Sequence, residues 1–160
     1  MAKTSAGLLM YRVQDGVLEV LLVHPGGPFW ARKDQGAWFV PKGEIEPGEG
    51  ELAAAEREFE EETGVRPTGP YLSLGSVKHK SGKQVIAWAF AGTCNPSEVK
   101  SNTFMMEWPP RSGRQEEFPE VDRTEFFTVA QARDRMHVQE FELLERLQAI
   151  LERGGNVSAS

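Results

Sequence analysis

The chain has 160 residues, 39% hydrophobic and 26% charged, with a formal net charge of -6. That length suits one domain with a sizeable core, the composition excludes a disordered chain, and the negative balance argues against indiscriminate binding to a nucleic-acid backbone. No apolar run has the length of a membrane span, and a single cysteine, Cys94, excludes an internal disulfide and fits a reducing, cytoplasmic setting.

In chain order, MAKTSAGLLMYRV lacks the apolar stretch of a secretory signal and alternates like a first strand. SAGLLMYRV and VLEVLLVHP read as two strands joined at Gln14-Asp15-Gly16, because Asp-Gly tolerates the positive φ of a tight hairpin turn. GGPFWARKDQGAWFVPKG is rich in Gly and Pro yet carries Phe29, Trp30 and Trp38; an exposed loop with such aromatics calls for a ligand. A helix is expected from about Glu51 to Thr63, closed by Gly64, with Leu52, Ala55 and Phe59 forming the stripe that packs on a sheet.

YLSLGSVKHK and KQVIAWAFAGT follow as strands joined at Ser81-Gly82, with His79 read as an ordinary sheet residue and Trp88 as core. TFMMEW is a shorter strand ended by Pro109-Pro110, and RSGRQEEFPEVDR a polar loop, mobile around Glu116 and Glu117. Thr128 and Gln131 form a capping box for a late helix, and FELLERLQAILER keeps a helical period up to Gly154-Gly155. These elements make one domain over residues 1–153, an α/β fold with a mixed sheet, and leave 154–160 as a flexible tail.

The helix at 51–63 gathers Glu58, Glu60, Glu61 and Glu62 at its C-terminal end, where like charges repel and the helix dipole disfavours them. A solvated acidic face is one reading. Against it, the acids crowd one side, Arg57 is the only cation among them, and a Gly/Pro-rich loop, PKGEIEPGE, precedes them. Three dispersed histidines (His24, His79, His137) and one cysteine make a structural zinc site an unlikely partner for them. Carboxylates without imidazole or thiolate suit a hard cation such as magnesium or manganese.

The segment from Gly43 to Val65 resembles the signature of the Nudix hydrolases: G, five residues, E, seven residues, then REUxEExGU, where U is a bulky apolar residue. Gly43, Glu49, Arg57, Glu58, Phe59, Glu61, Glu62, Gly64 and Val65 occupy its fixed positions, Phe59 being an aromatic at U. The resemblance implies an α/β/α sandwich and a loop–helix–loop that holds Mg²⁺ or Mn²⁺ against a pyrophosphate. It implies Glu58, Glu61 and Glu62 as metal ligands, joined by the Lys42 carbonyl and by one downstream acid. Glu120 is the favoured downstream acid, with Glu116 and Glu117 as rivals. It further implies Arg57 and Glu49 as the pair that orients loop against helix, and Glu58, Glu61 or Glu120 as the base that takes a proton from the attacking water.

Lys42 and Lys83, with Lys78, Lys80, Arg32, Arg111 and Arg114, are candidate phosphate contacts, and Trp30 and Trp38 candidate base-stacking residues. PKGEIEPGE is similar to members acting on dinucleoside polyphosphates such as diadenosine tetraphosphate. SNTFMMEWPPRSGR and FPEVDR are similar to a bacterial group described as predicted NTP pyrophosphohydrolases. The expected protein is therefore a pyrophosphohydrolase of nucleoside or dinucleoside polyphosphates, with ADP-ribose and oxidised nucleoside triphosphates as other substrates to test. Its expected partner is a nucleotide, without nucleic acid or membrane, and its state a monomer or homodimer. The alternative is a non-catalytic nucleotide-binding regulatory module, which would be expected to lose box glutamates or Arg57.

Overall fold

In a computed structural model, which describes residues 3–154, strands β1 (Thr4–Gln14), β2 (Val17–Pro25), β3 (Lys42–Glu44), β4 (Leu72–Lys78), β5 (Gln84–Ala91) and β8 (Val121–Thr128) form one sheet. Its order is β4-β5-β1-β2-β8, with β3 added to β1. Only β1 and β5 run parallel among these pairs, so the sheet is mixed, as expected. The Asp15-Gly16 turn has φ of 53° and 76°, the left-handed pair that a tight hairpin needs.

Helices cover both faces, and the pleat explains why. Successive strand side chains point to opposite sides, so a strand buried on both reads as a continuous apolar run. Ala6, Leu8 and Met10 of β1 pack with Ala54, Ala55 and Phe59 of α1 (Glu51–Thr63). Leu9, between them in sequence, faces the larger cluster, to which α3 (Phe141–Arg153) contributes Leu143, Leu144, Leu147 and Leu151. The same split divides Leu21 from Val20 and Leu22 on β2, and Phe90 from Ala87 and Ala89 on β5. The fold is an α/β/α sandwich. None of the described helices is long and apolar enough to cross a membrane.

Helix α1 begins after Gly50 and ends at Gly64, whose φ of 75° and N–H to the Glu60 carbonyl make the left-handed C-cap. The Thr128–Gln131 capping box is present and opens α2 (Val129–Arg135). The late helical region is thus two helices, broken at Met136–Glu140.

Two expectations change, and a third falls outside the described residues. RSGRQEEFPEVDR is no mobile loop: Gln115–Pro119 forms β7, paired with β6 (Thr103–Glu107) as a separate hairpin, so Glu116 and Glu117 sit opposite Met106 and Met105. Alternating apolar residues were too few there to reveal a strand. His79 lies just beyond β4, in the turn to β5, not in the sheet. Residues 155–160, nearly all of the expected tail, lie outside those described, while Gly154 closes α3.

Candidate active site

The PKG segment and the acidic end of α1 face each other because β3 pairs with β1, on which α1 packs. Arg57 organises this junction. Its Nε and Nη2 donate to the two Glu49 oxygens at 2.8 and 2.9 Å, the bidentate geometry that guanidinium favours. Its Nη1 donates to Glu58 at 2.8 Å and to Glu61 at 3.3 Å, and Nη2 also reaches the Glu44 carbonyl at 3.2 Å. Arg57, together with the Glu46 N–H, holds the Glu49 carboxyl down at about 2. Loop and helix are therefore tied by one cation.

Glycine at 43 has a steric cause. A Cβ there would collide with the Glu58 carboxylate, which lies against the bare Cα. Glu62 accepts the Lys42 N–H at 3.3 Å. Burial, with Glu58 and Glu120 adding repulsion, pushes the Glu62 carboxyl up to about 8 against the pull of Lys42. Burial also raises Glu58, opposed by Arg57 and reinforced by Glu61 and Glu120. Glu120 is raised by burial and then by Glu61.

Glu58, Glu61, Glu62 and Glu120 thus feel one another's charge, and Glu120 is brought to the box from 58 positions beyond Glu62 (120 − 62). Its backbone is fixed: its N–H donates to the Asn102 carbonyl at 2.8 Å, and its carbonyl accepts the Gly26 N–H at 3.0 Å. Glu117 instead takes the Thr103 hydroxyl at 2.7 Å, and both Glu116 and Glu117 are exposed.

Lys42, Glu62 and Glu120 line a cavity of about 160 Å³ with Phe39, Val40 and Val121. A hollow of about 430 Å³ between the 3-10 turn Pro96–Glu98 and β8 is larger but contains none of the box carboxylates. Among the described residues, no three His, Cys, Asp or Glu side chains close into a preformed metal cage. The donor set nevertheless fits a hard divalent cation: it is oxygen-only and crowded, and Glu58, Glu62 and Glu120 are raised in pKa by burial and then by neighbouring carboxylates, whose repulsion a cation would relieve.

Of the expected substrate contacts, Trp38 is contradicted. It is fully buried in the larger core cluster, its Nε1–H donates to Asp34 at 2.9 Å, and it packs edge-on against His24 and Phe127. The loop around it is drawn inward by bridges from Trp38 to Met136 and from Phe39 to Val23. Trp30 stands partly exposed, edge-on to Phe39 at 5.5 Å, one ring removed from the cavity. Lys83 is brought near Lys42; burial and then that neighbouring charge lower its pKa. Lys78, Lys80, Arg32, Arg111 and Arg114 are exposed and do not line the cavity.

Two residues that the sequence did not single out complete the surroundings. Phe39 lines the cavity, with the Lys42 ammonium 4.4 Å from its ring centre and His137 stacked on it at 5.3 Å. Glu140, wholly buried, accepts from Lys42 Nζ at 2.8 Å, from the Val40 N–H at 3.0 Å and bonds His79 Nε2 at 3.0 Å. Burial alone would raise the Glu140 carboxyl, but Lys42 and these hydrogen bonds hold it at about 2.

The model of the NUDIX domain matches residues 1–147, and the chain belongs to the Nudix family. It is 33% identical over 100 residues to the rat bis(5'-nucleosyl)-tetraphosphatase [asymmetrical], an alignment covering 55% of this chain and 64% of the rat protein. The Caenorhabditis elegans protein of the same name is 38% identical over 116 residues, covering 68% of this chain and 78% of the relative. The chain therefore spans just under two thirds of the rat relative's length. The crystal structure of a C. elegans Ap4A hydrolase binary complex superposes with a TM-score of 0.68 at 22% identity, over 93% of this chain and 98% of that one.

Proposed function

We propose that the protein hydrolyses a phosphoanhydride bond in a nucleoside or dinucleoside polyphosphate, using Mg²⁺ or Mn²⁺, in the cytoplasm and as a single domain spanning residues 1–153. The observation that carries this reading is the meeting of Glu58, Glu61, Glu62 and Glu120 beside a cavity that also holds Lys42. The tetraphosphatases of rat and C. elegans support a dinucleoside tetraphosphate as the favoured substrate, with nucleoside triphosphates next.

Glu58, Glu61, Glu62, Glu120 and the Lys42 carbonyl would hold the cation. When bound, it neutralises phosphate oxygens that would otherwise repel an incoming nucleophile. The chain's own residues do the rest. Arg57 keeps Glu58 and Glu61 in place, and its tie to Glu49 keeps the loop closed on the helix. Lys42 and Lys83 face the remaining phosphate charge. Phe39 and Trp30 offer ring surfaces to a base, the role that Trp38 cannot fill. Glu58, Glu61 and Glu120 are the candidate acceptors for the proton of the attacking water.

The test is a screen of dinucleoside polyphosphates, nucleoside triphosphates and ADP-ribose with Mg²⁺ or Mn²⁺, with the products identified. Turnover is expected to fall to background in excess EDTA and to return on adding either metal. Undiminished rates in chelator would sink the metal-dependent reading.

The downstream acid is tested separately. Glu120→Gln is expected to lower kcat roughly 100-fold, because a ligand must be held in place and its backbone is bonded on both sides. Glu116→Gln and Glu117→Gln are expected to stay near wild type. A large loss in Glu117→Gln with none in Glu120→Gln would move the role to β7.

A further inference from the structure

Glu140 is not among the residues that line the cavity, yet both of its carboxylate oxygens are engaged. No part of it is exposed. It sits just before α3, and its oxygens bond three residues in two separate stretches of chain: Val40 and Lys42 beside the Nudix box, and His79 between β4 and β5. The His79 ring stacks on His137 at 4.6 Å and 9° between planes, and His137 stacks on Phe39. Glu140 and Phe39 both meet the Lys42 side chain, which is 11% exposed and lines the cavity with Glu62 and Glu120.

A lysine side chain is long and flexible, and holding its ammonium at one point costs rotamer entropy. A buried partner that is itself fixed meets that cost before any ligand arrives. An ammonium has three N–H donors. One is directed to Glu140 at 2.8 Å and the face of Phe39 lies 4.4 Å away, which leaves donors for the cavity side. The backbone is held by the same scheme, since Glu140 accepts the Val40 N–H and Glu62 the Lys42 N–H.

We infer that Glu140 is a positioning residue, which aims the Lys42 ammonium at the phosphate chain of the substrate and ties the start of α3 to the site. The inference rests on the reading that the cavity takes a polyphosphate. Glu140 touches no substrate; it acts through Lys42.

The experiment is a double-mutant cycle read by binding. A methylene-bridged tripolyphosphate, whose P–C–P links resist hydrolysis, is titrated calorimetrically in magnesium buffer into wild type, Glu140→Gln, Lys42→Met and the double variant, with melting curves for each. Glu140→Gln is expected to weaken binding about tenfold, a size typical of residues that orient a binding group. In the Lys42→Met background the same change is expected to have no effect. Turnover assays should show a raised KM with kcat nearly kept.

An equal loss in both backgrounds would make Glu140 a purely structural residue and overturn the inference. Unchanged or tighter binding in Glu140→Gln would overturn it too, as would failure of wild type to bind the probe. Should the glutamine variant not stay folded, Glu140→Asp, which keeps the charge but retracts it, is read in the same cycle. Coupled binding without nucleotide hydrolysis would refute the catalytic reading and leave the positioning role standing. Hydrolysis with uncoupled binding would do the reverse.

Discussion

Glu62→Gln is expected to cut turnover roughly 100-fold or more while making the metal-free protein more resistant to heat, increasingly so as the pH rises. The loss follows from removing a charge that the cation and the phosphate electrostatics require. The gain follows from linkage. Burial lifts the Glu62 carboxyl from its ordinary 4.5 to about 8 in the folded chain. The folded state therefore binds a proton more tightly than the unfolded state between those values, and stability is greatest below about 4.5 and declines as pH rises through 8. Glutamine does not ionise, and its amide oxygen can still accept the Lys42 N–H. In EDTA, the difference in Tm between variant and wild type should grow from pH 5 to pH 9. A constant difference would show that Glu62 is not strained by its surroundings, and wild-type turnover would remove it from the site.

The second large effect belongs to a residue with no side chain. Gly43→Ala is expected to lower kcat roughly 100-fold with little change in Tm, because the new methyl occupies the place of the Glu58 carboxylate. Glu58 sits at the end of a flexible side chain and can swing aside, so the fold survives. It swings away from the Arg57 bond that aims it, and the carboxylate cluster loses a member. Gly50→Ala is the control, since nothing lies within 4 Å of a Cβ there and its φ of -69° is ordinary. Full activity in Gly43→Ala would mean that the position of Glu58 is immaterial.

What could be read from the sequence alone divides along the length of the contacts involved. The α1 span, its Gly64 cap, the Thr128–Gln131 box and the Arg57–Glu61 pair depend on residues within a turn or two of each other, and their spacing carries the geometry. The hairpin at Asp15-Gly16 is legible for the same reason. The burial of Trp38 is not legible locally, because a loop rich in Gly and Pro implies exposure, whereas a bridge to Met136, far along the chain, pulls this one into the core. Glu140 had no local signal at all. It meets Val40 across 100 residues, and only the closure of α3 over the sheet brings it there. Phe39 had no local signal either, because its neighbours His137 and Lys42 come together around it only in the fold.

The alternation of Leu8 and Leu9 toward opposite layers bears on how the chain is made. β1 leaves the ribosome well before its parallel neighbour β5, which arrives with residues 84–91, and before the α3 leucines of the Leu9 cluster, which arrive with residues 141–153. Non-local pairing of this kind delays folding, and half-formed sheets carry open edges and bare apolar faces. A nascent chain halted short of Phe141 would have its α1 face sealed, while the cluster on its other face would lack Leu143, Leu144, Leu147 and Leu151. Truncation there should yield a chaperone client that self-associates, however intact its glutamate-bearing half.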